Sequence, residues 1–418
     1  MPKYIIDKTK KLNGAVTIGG SKNAALPILA AALLAESSST ICDVPDLADV
    51  SKMSELLCTV GASVRAETSS GITICCPKPF YDATPCESAN SFRASFLIMG
   101  PLLARCHRAK ISMPGGCRIG TRPVDLHLKG LASMGAQISQ GHGFIEAKCK
   151  RLSGAAIYLD FPSVGATENL MMAATLADGQ TVIENAAIEP EIVDLANFIN
   201  SMGGRIVGAG TDTIRITGVN SLSGQLHTVI PDRIEAGTFA AAAAVTGGQV
   251  RLDNVVTEHM KPMTAKLREN GVKVIEEENS ITVDASERVK AADIKTLPYP
   301  GFPTDMQAQY TSLMASADGN SMITETIFEN RFMHVPELIR MGARIKTEGR
   351  IAVIEGVNKL SGAKVKATDL RAGAALVLAA LAADGRTEIG EIEHIERGYF
   401  QLDKKLSGLG ACITREES

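Results

Sequence analysis

Two alternating patterns of apolar and polar positions organise the chain. The first is a short amphipathic helical stretch, a small-residue turn and a strand-like run. It recurs as "ELLCTVGASVRAE", "LKGLASMGAQISQ", "LANFINSMGGRIVG", "TAKLRENGVKVIEE", "PELIRMGARIKTE" and "KKLSGLGACITRE". Its turn glycines, Gly61, Gly135, Gly203, Gly271, Gly342 and Gly410, recur roughly every 70 residues, a longer period than that of a solenoid. Glycine after a helical pattern predicts a left-handed cap, and the β-branched run behind it predicts a strand. The second pattern reads "KLNGAVTIGGSKNAALPILAAALLA", "RLSGAAIYLDFPSVGATENLMMAATLA", "SLSGQLHTVIPDRIEAGTFAAAAAV" and "KLSGAKVKATDLRAGAALVLAALAA". Each copy is an L-x-G turn, a strand, a polar loop and an Ala-rich helix that is apolar nearly all round, which belongs in an interior. Two weaker copies begin near "ISMPGGCRIGTRPVDLHLKGL" and "FPTDMQAQYTSLMAS".

Six β-α-β-like units, divided three and three, predict an α/β protein of two similar domains with buried helices. A length of 418 residues also favours two cores over one. The loop entering each buried helix should lie at one end of its domain. Loops facing one another across a cleft would gather polar residues from the whole chain.

Composition narrows the partners. The chain is 45% hydrophobic and 21% charged with a net charge of −3, so nothing predicts a nucleic-acid or anionic-membrane surface. The start, "MPKYIIDKTKK", lacks a secretory h-region. Apolar runs such as "AALPILAAALLA" are too short to span a bilayer. Nine scattered cysteines include no pair or His cluster with zinc-site spacing, which fits a reduced cytoplasm and no metal.

The polar residues that break the pattern are Lys22 and Asn23, Cys117 and Arg122, Asp232 and Arg233, Asp305, and Asp369 with Arg371. One reading makes Ser21, Thr167, Asp232, Asp305 or Asp369 helix N-caps and nothing more. That reading leaves the cations unexplained, because Lys or Arg at a helix N-terminus opposes the dipole unless an anion sits between them. Lys22, Arg122, Arg371 and Arg397 (in "HIERGYF") are either four unrelated surface cations or, on converging loops, a clamp for a small multiply charged anion. No Walker spacing and no dinucleotide fingerprint is present. Cys117 lies in "PGGCRIG", a turn with little core to pack, and Arg118 and Arg122 beside it favour the thiolate. It is either a small turn residue or a reactive sulfur, and the microenvironment favours reactivity.

"GGSKNAALP", "PGGCRIGTRPVDLH", "FPSVGATEN", "IPDRIEAGTF", "FPTDMQAQ", "ETIFENRFMHVPEL", "ATDLRAGAALVLAAL" and "HIERGY" run in order along essentially the whole chain. Together they resemble the UDP-N-acetylglucosamine 1-carboxyvinyltransferase family of enolpyruvyl transferases. The resemblance implies a two-domain inside-out α/β barrel with three repeats per domain. By analogy it implies one domain at 21–230 and another from 1–20 plus 231–418. The implied reaction joins phosphoenolpyruvate to the 3-hydroxyl of UDP-N-acetylglucosamine and releases phosphate, by addition and elimination through a tetrahedral ketal. It is the committed step of peptidoglycan precursor synthesis, and so bears on cell wall biogenesis, cell shape and division.

On this resemblance Cys117 would be the proton donor and the site of a covalent adduct with phosphoenolpyruvate, and Asp305 would take the sugar hydroxyl's proton. Lys22, Arg122 and Arg397 would hold phosphoenolpyruvate, with Arg371 close by. Asn23, Arg93, the stretch Arg122, Pro123, Val124, Asp125 and Leu126, Asp305 and Ile327 would hold the UDP-sugar. No cofactor is implied. Domain closure would complete the site and exclude water. Cys117, where some members have Asp, predicts sensitivity to the epoxide fosfomycin. The same resemblance keeps two other readings open: a 5-enolpyruvylshikimate-3-phosphate synthase of the same fold, and a non-catalytic paralogue that binds UDP-N-acetylglucosamine and regulates through a partner.

Overall fold

A computed structural model describes residues 2–67, 70–83, 93–113, 120, 124–141 and 143–417. The described residues fall into two compact units. The first holds those within 20–116 and 122–230; the second holds those within 1–19 and 231–418, together with Gly120. The chain thus passes from the second unit to the first near residue 20 and returns near 231. At these passages Ser21 N donates to Ile230 O at 2.7 Å within the first unit, and Asp232 N donates to Gly19 O at 2.9 Å within the second.

Among the described residues each unit carries three sheets, five of the six being four-stranded and one three-stranded. The commonest motif is a parallel strand pair with a buried helix before its second strand. In the first unit, strand Ala156–Tyr158 leads through helix Val164–Ala174 to the parallel strand Gln180–Glu184. In the second, strand Lys364–Lys366 leads through helix Leu370–Ala382 to Arg386–Gly390. Where the chain changes unit, the pairing is made by distant segments: Asn13–Thr17 pairs with Gln249–Asp253, and Leu226–Thr228 with Ser39–Cys42. Strand Lys3–Asp7 lies antiparallel between Arg386–Gly390 and Cys412–Glu416, closing the last sheet with the beginning of the chain.

Strands alternate buried and exposed positions, as Gln249–Asp253 does, so one face of each sheet is covered by the helices beneath it. Helix Arg233–Thr246 is buried along nearly its whole length and packs with Gln307–Ala315 and Leu370–Ala382. Two apolar clusters result, one within 24–229 and one within 4–413 of the second unit. The six amphipathic stretches form the outer helices. Each is followed by its glycine at φ between 83° and 105°, a backbone region that glycine enters without the Cβ clash other residues suffer.

One repeat departs from the expected pattern. The buried helical segment of the second repeat is not the one beginning near "ISMPGGCRIG". It is Arg93–Ile98 followed by Met99–Cys106, in the sequence "RASFLIMGPLLARC". Gly100 and Pro101 interrupt its apolar period and hid it from pattern reading. Gly100 is required for packing, since a Cβ there would lie 2.3 Å from Asn169 O on the neighbouring buried helix. In this repeat the parallel pairing shrinks to a single bridge, Asp82 to Lys110. The stretch around Cys117 therefore follows strand Arg108–Ser112 and precedes the outer helix Asp125–Ser133; it does not enter a buried helix.

Candidate functional site

Three of the proposed caps are caps. Ser21 Oγ accepts from Ala24 N at 3.4 Å, Asp232 Oδ1 from Ile234 N at 2.8 Å and Glu235 N at 3.1 Å, and Asp369 Oδ1 from Arg371 N at 2.9 Å and Ala372 N at 3.1 Å. Two are not. Ser163, not Thr167, caps helix Val164–Ala174, and Thr167 lies one turn inside it, accepting from Ala187 N at 3.0 Å. Asp305 lies inside the turn Thr304–Met306, which has no side-chain cap, so its carboxylate is committed elsewhere.

Asp305 is gripped by two arginines. Arg371 Nη2 donates to its Oδ2 at 2.9 Å and Arg331 Nη2 to its Oδ1 at 2.7 Å. Both arginines are 4% exposed. A buried cation is tolerated when a carboxylate and further hydrogen bonds meet it. For Arg371 these are Asp305 and the hydroxyl of Tyr399, which accepts from Nη1 at 3.2 Å. Burial works against the charge of Arg371, but Asp305, Tyr399 and Asp232 outweigh it and hold the guanidinium protonated.

Ile327 is tied to the same place through Glu325, which is 1% exposed. Glu325 Oε1 accepts from Ile327 N at 2.8 Å, Phe328 N at 3.2 Å and Thr296 Oγ1 at 2.9 Å, while Oε2 accepts from Thr304 Oγ1 at 2.9 Å. This carboxylate thus fixes the segment bearing Ile327 to the residue before Asp305. Arg397 is half-buried at the end of helix Glu393–Glu396, two residues before Tyr399. Sequence reading missed Arg331 and Glu325. Both stand in the quoted "ETIFENRF", where Thr326, Glu329 and Asn330 are polar as well, so spacing did not single them out.

In the first unit, Lys22 opens helix Lys22–Ala31 and is 9% exposed; its Nζ meets Asp49 Oδ2 at 3.2 Å, with Asp49 3% exposed. Asn23 beside it is half-buried. Val124, Asp125 and Leu126 begin the outer helix Asp125–Ser133, and His127 behind them is buried. Asn169 Nδ2 donates to Phe96 O at 2.8 Å and meets His127 Nδ1 at 3.2 Å. Nδ1 is then the acceptor, so the imidazole proton sits on Nε2. Burial, with the charge of Arg93 adding to it, pushes His127 down to about 3, so it is neutral and no proton donor near neutrality. Through Phe96 and Asn169 it joins the turn that Arg93 opens to the helix behind Leu126. Cys117, Arg122 and Pro123 lie outside the described residues. Among the described cysteines, Cys76 is buried, which pushes its thiol up to about 11.

Among the described residues, no group of three or more His, Cys, Asp or Glu side chains could hold a metal ion, and no helix is long and apolar enough to cross a membrane.

Residues 6–406 match the family model of EPSP synthase (3-phosphoshikimate 1-carboxyvinyltransferase). UDP-N-acetylglucosamine 1-carboxyvinyltransferase 2 of Carboxydothermus hydrogenoformans is 59% identical over 417 residues, covering 99% of each chain. UDP-N-acetylglucosamine 1-carboxyvinyltransferase 1 of Caldanaerobacter subterraneus subsp. tengcongensis is also 59% identical, over 414 residues and 99% of each chain. Among solved structures, the enolpyruvyl transferase NikO from Streptomyces tendae superposes with a TM-score of 0.91 at 25% identity, covering 100% of this chain and 99% of that one. EPSP synthase from Acinetobacter baumannii shares the fold with a TM-score of 0.77 at 19% identity, each chain covered in full. The two-domain α/β architecture expected from the repeats is therefore that of its structural neighbours, and the chain belongs to the enolpyruvyl transferase family, among the UDP-N-acetylglucosamine 1-carboxyvinyltransferases.

Proposed function

We propose that the protein transfers the enolpyruvyl group of phosphoenolpyruvate to the 3-hydroxyl of UDP-N-acetylglucosamine and releases phosphate. The observation that carries this reading is 59% identity over 99% of the chain to relatives named for that transfer. In the addition step the hydroxyl oxygen bonds to C2 of phosphoenolpyruvate while C3 gains a proton. In the elimination step C3 loses a proton and the bond from C2 to the phosphate oxygen breaks. Cys117 supplies the C3 proton and forms the covalent adduct, and Asp305 accepts the proton of the hydroxyl.

Lys22, Arg122 and Arg397 hold phosphoenolpyruvate and the departing phosphate, and Arg371 orients Asp305. Asn23, Arg93, Arg122, Pro123, Val124, Asp125, Leu126, Asp305 and Ile327 hold the sugar nucleotide. The burial of Arg371 and its bond to Asp305 support a preset carboxylate, since a proton acceptor must be held within hydrogen-bond reach of its donor. The two compact units are the two enolpyruvyl transferase domains of three repeats each. The product feeds peptidoglycan assembly in the cytoplasm, and fosfomycin alkylates Cys117.

The test is phosphate release with phosphoenolpyruvate and UDP-N-acetylglucosamine, shikimate-3-phosphate as the parallel acceptor and Cys117→Ala as control. Release with the sugar nucleotide alone, lost in Cys117→Ala and after fosfomycin, is expected. Release with shikimate-3-phosphate alone would transfer the reading to the sister reaction. Tight sugar-nucleotide binding without release would make the protein a regulator.

A further inference from the structure

The two arginines on Asp305 are held in different ways. Arg371 belongs to a closed network on three buried helices. The Tyr399 hydroxyl accepts from Arg371 Nη1 at 3.2 Å and from Gln309 Nε2 at 3.1 Å. With both lone pairs taken, its proton goes to Thr238 Oγ1 at 2.8 Å, and the Thr238 hydroxyl donates onward to Ile234 O at 2.8 Å. Every direction in that chain is fixed, so Arg371 is set by the core. Arg331 instead lies in the turn between strand Asn320–Thr324 and helix Val335–Arg340. Its guanidinium is held by Asp305 Oδ1 at 2.7 Å and stands over the Phe328 ring at 5.4 Å; Nε of either arginine is buried and without a hydrogen-bond partner among the described residues.

One arginine already neutralises one carboxylate. A second buried guanidinium adds a charge whose desolvation is unfavourable, and it satisfies no other carboxylate by hydrogen bond among the described residues. We propose that Arg331 is a positioning residue of the transfer reaction: it fixes Oδ1 of Asp305, so that the carboxylate offers the sugar hydroxyl one defined orientation. The inference rests on the reading of Asp305 as proton acceptor. Arg331 also sets how readily that carboxylate gains a proton, because a cation in contact favours the ionised form. The other charged or titratable groups around the pair are Arg371 at Oδ2, Tyr399 on Arg371 Nη1, Asp232 acting on Arg371, Glu325 through Thr304, and His334 between Asp369 and Arg331. Burial pushes His334 down to about 4, against the pull of Asp369, so it is neutral where the enzyme would work.

The test compares Arg331→Gln and Arg331→Lys by the pH profile of kcat/KM and by calorimetric binding of UDP-N-acetylglucosamine. Arg331→Gln should lower kcat by roughly 10- to 100-fold. It should move the acidic limb upward by about 1–3 pH units, because the lost cation had favoured the carboxylate that must stay ionised. Arg331→Lys should keep the limb in place, since the charge remains, and lower kcat, since an ammonium lacks the planar fork. An unmoved limb in Arg331→Gln, with activity and thermal stability falling together, would overturn the proposal and leave Arg331 a structural residue. If Arg331→Gln does not fold, Arg331→Lys decides: a wild-type kcat overturns the proposal and a reduced kcat on an unmoved limb supports it. Asp305→Asn separates the premise. Wild-type phosphate release in that variant would remove the reading of Asp305 and the inference with it, whereas an inactive Asp305→Asn beside an unmoved Arg331→Gln limb would remove the inference alone.

Discussion

Two buried titratable residues solve the same desolvation problem in opposite ways. Arg371, in the unit holding 231–418, keeps its charge because Asp305 and the Tyr399 hydroxyl meet its guanidinium. His127, in the unit holding 20–230, gives its charge up because its ring is met by Asn169 and the edge of Phe96, neither of which carries a negative charge. Burial penalises charge in both places; the partner decides the protonation state. The Asp305 region is thus a preset electrostatic assembly, and the His127 region a neutral bracket between Arg93 and the start of helix Asp125–Ser133. Lys22 shows that the first unit too holds a cation in its interior when a carboxylate, Asp49, is supplied.

The comparison is broken most severely by Asp305→Ala. Two buried guanidiniums lose their carboxylate, so we expect a loss of about 3–5 kcal/mol, measured by urea unfolding, and a fall in phosphate release of about 10²–10⁴-fold. Retained stability would mean that Arg331 and Arg371 find solvent or another anion. Next in size is Lys22→Ala, which removes the ammonium 3.2 Å from the buried Asp49 carboxylate. Unfolding should be easier by about 1.5–3 kcal/mol, and Lys22→Ala with Asp49→Asn should recover part of that loss, because the buried negative charge is then gone.

His127 and His334 sharpen the contrast through pH. Their ordinary value is 6.5, and burial holds them at about 3 and about 4. Between those limits the unfolded chain binds protons that the folded chain refuses. Stability therefore falls as pH drops through 6.5, by about 1.4 kcal/mol per pH unit for each histidine at the steepest part. Denaturant melts of His127→Gln between pH 7 and 5 should be flatter than wild type by about that slope; equal slopes would mean that His127 is charged or exposed. The smallest expected effect is at a cap. Asp232→Ala removes the acceptor for Ile234 N and Glu235 N and should lower stability by about 1 kcal/mol, read from thermal unfolding.

Much of the fold was legible because burial leaves a period behind. The six outer helices, their left-handed glycines and the four strongest buried helices all announced themselves by spacing, since a helix apolar on every side has nowhere to sit but inside. The segment 93–106 escaped because Gly100 serves close packing against Asn169, a reason that spacing along the chain does not record. Among the site residues, Lys22, Asp305 and Arg371 stood out as charges at the openings of apolar helices. Arg331 and Glu325 did not, because a charge in a turn looks like solvated surface until its partner is known.

The same limit governs what each level decided. The order of repeats, the four strongest interior helices, the cap at Asp369 and the reaction family follow from local patterns and motifs in the sequence itself. Whether Asp305 caps a helix or faces two arginines, whether Ser163 or Thr167 begins a helix, and whether His127 is charged were settled by tertiary structure. Hydrogen-bond partners and desolvation come from residues as far apart as 305 and 371, and the free energy of a buried polar group depends on those partners more than on the group itself.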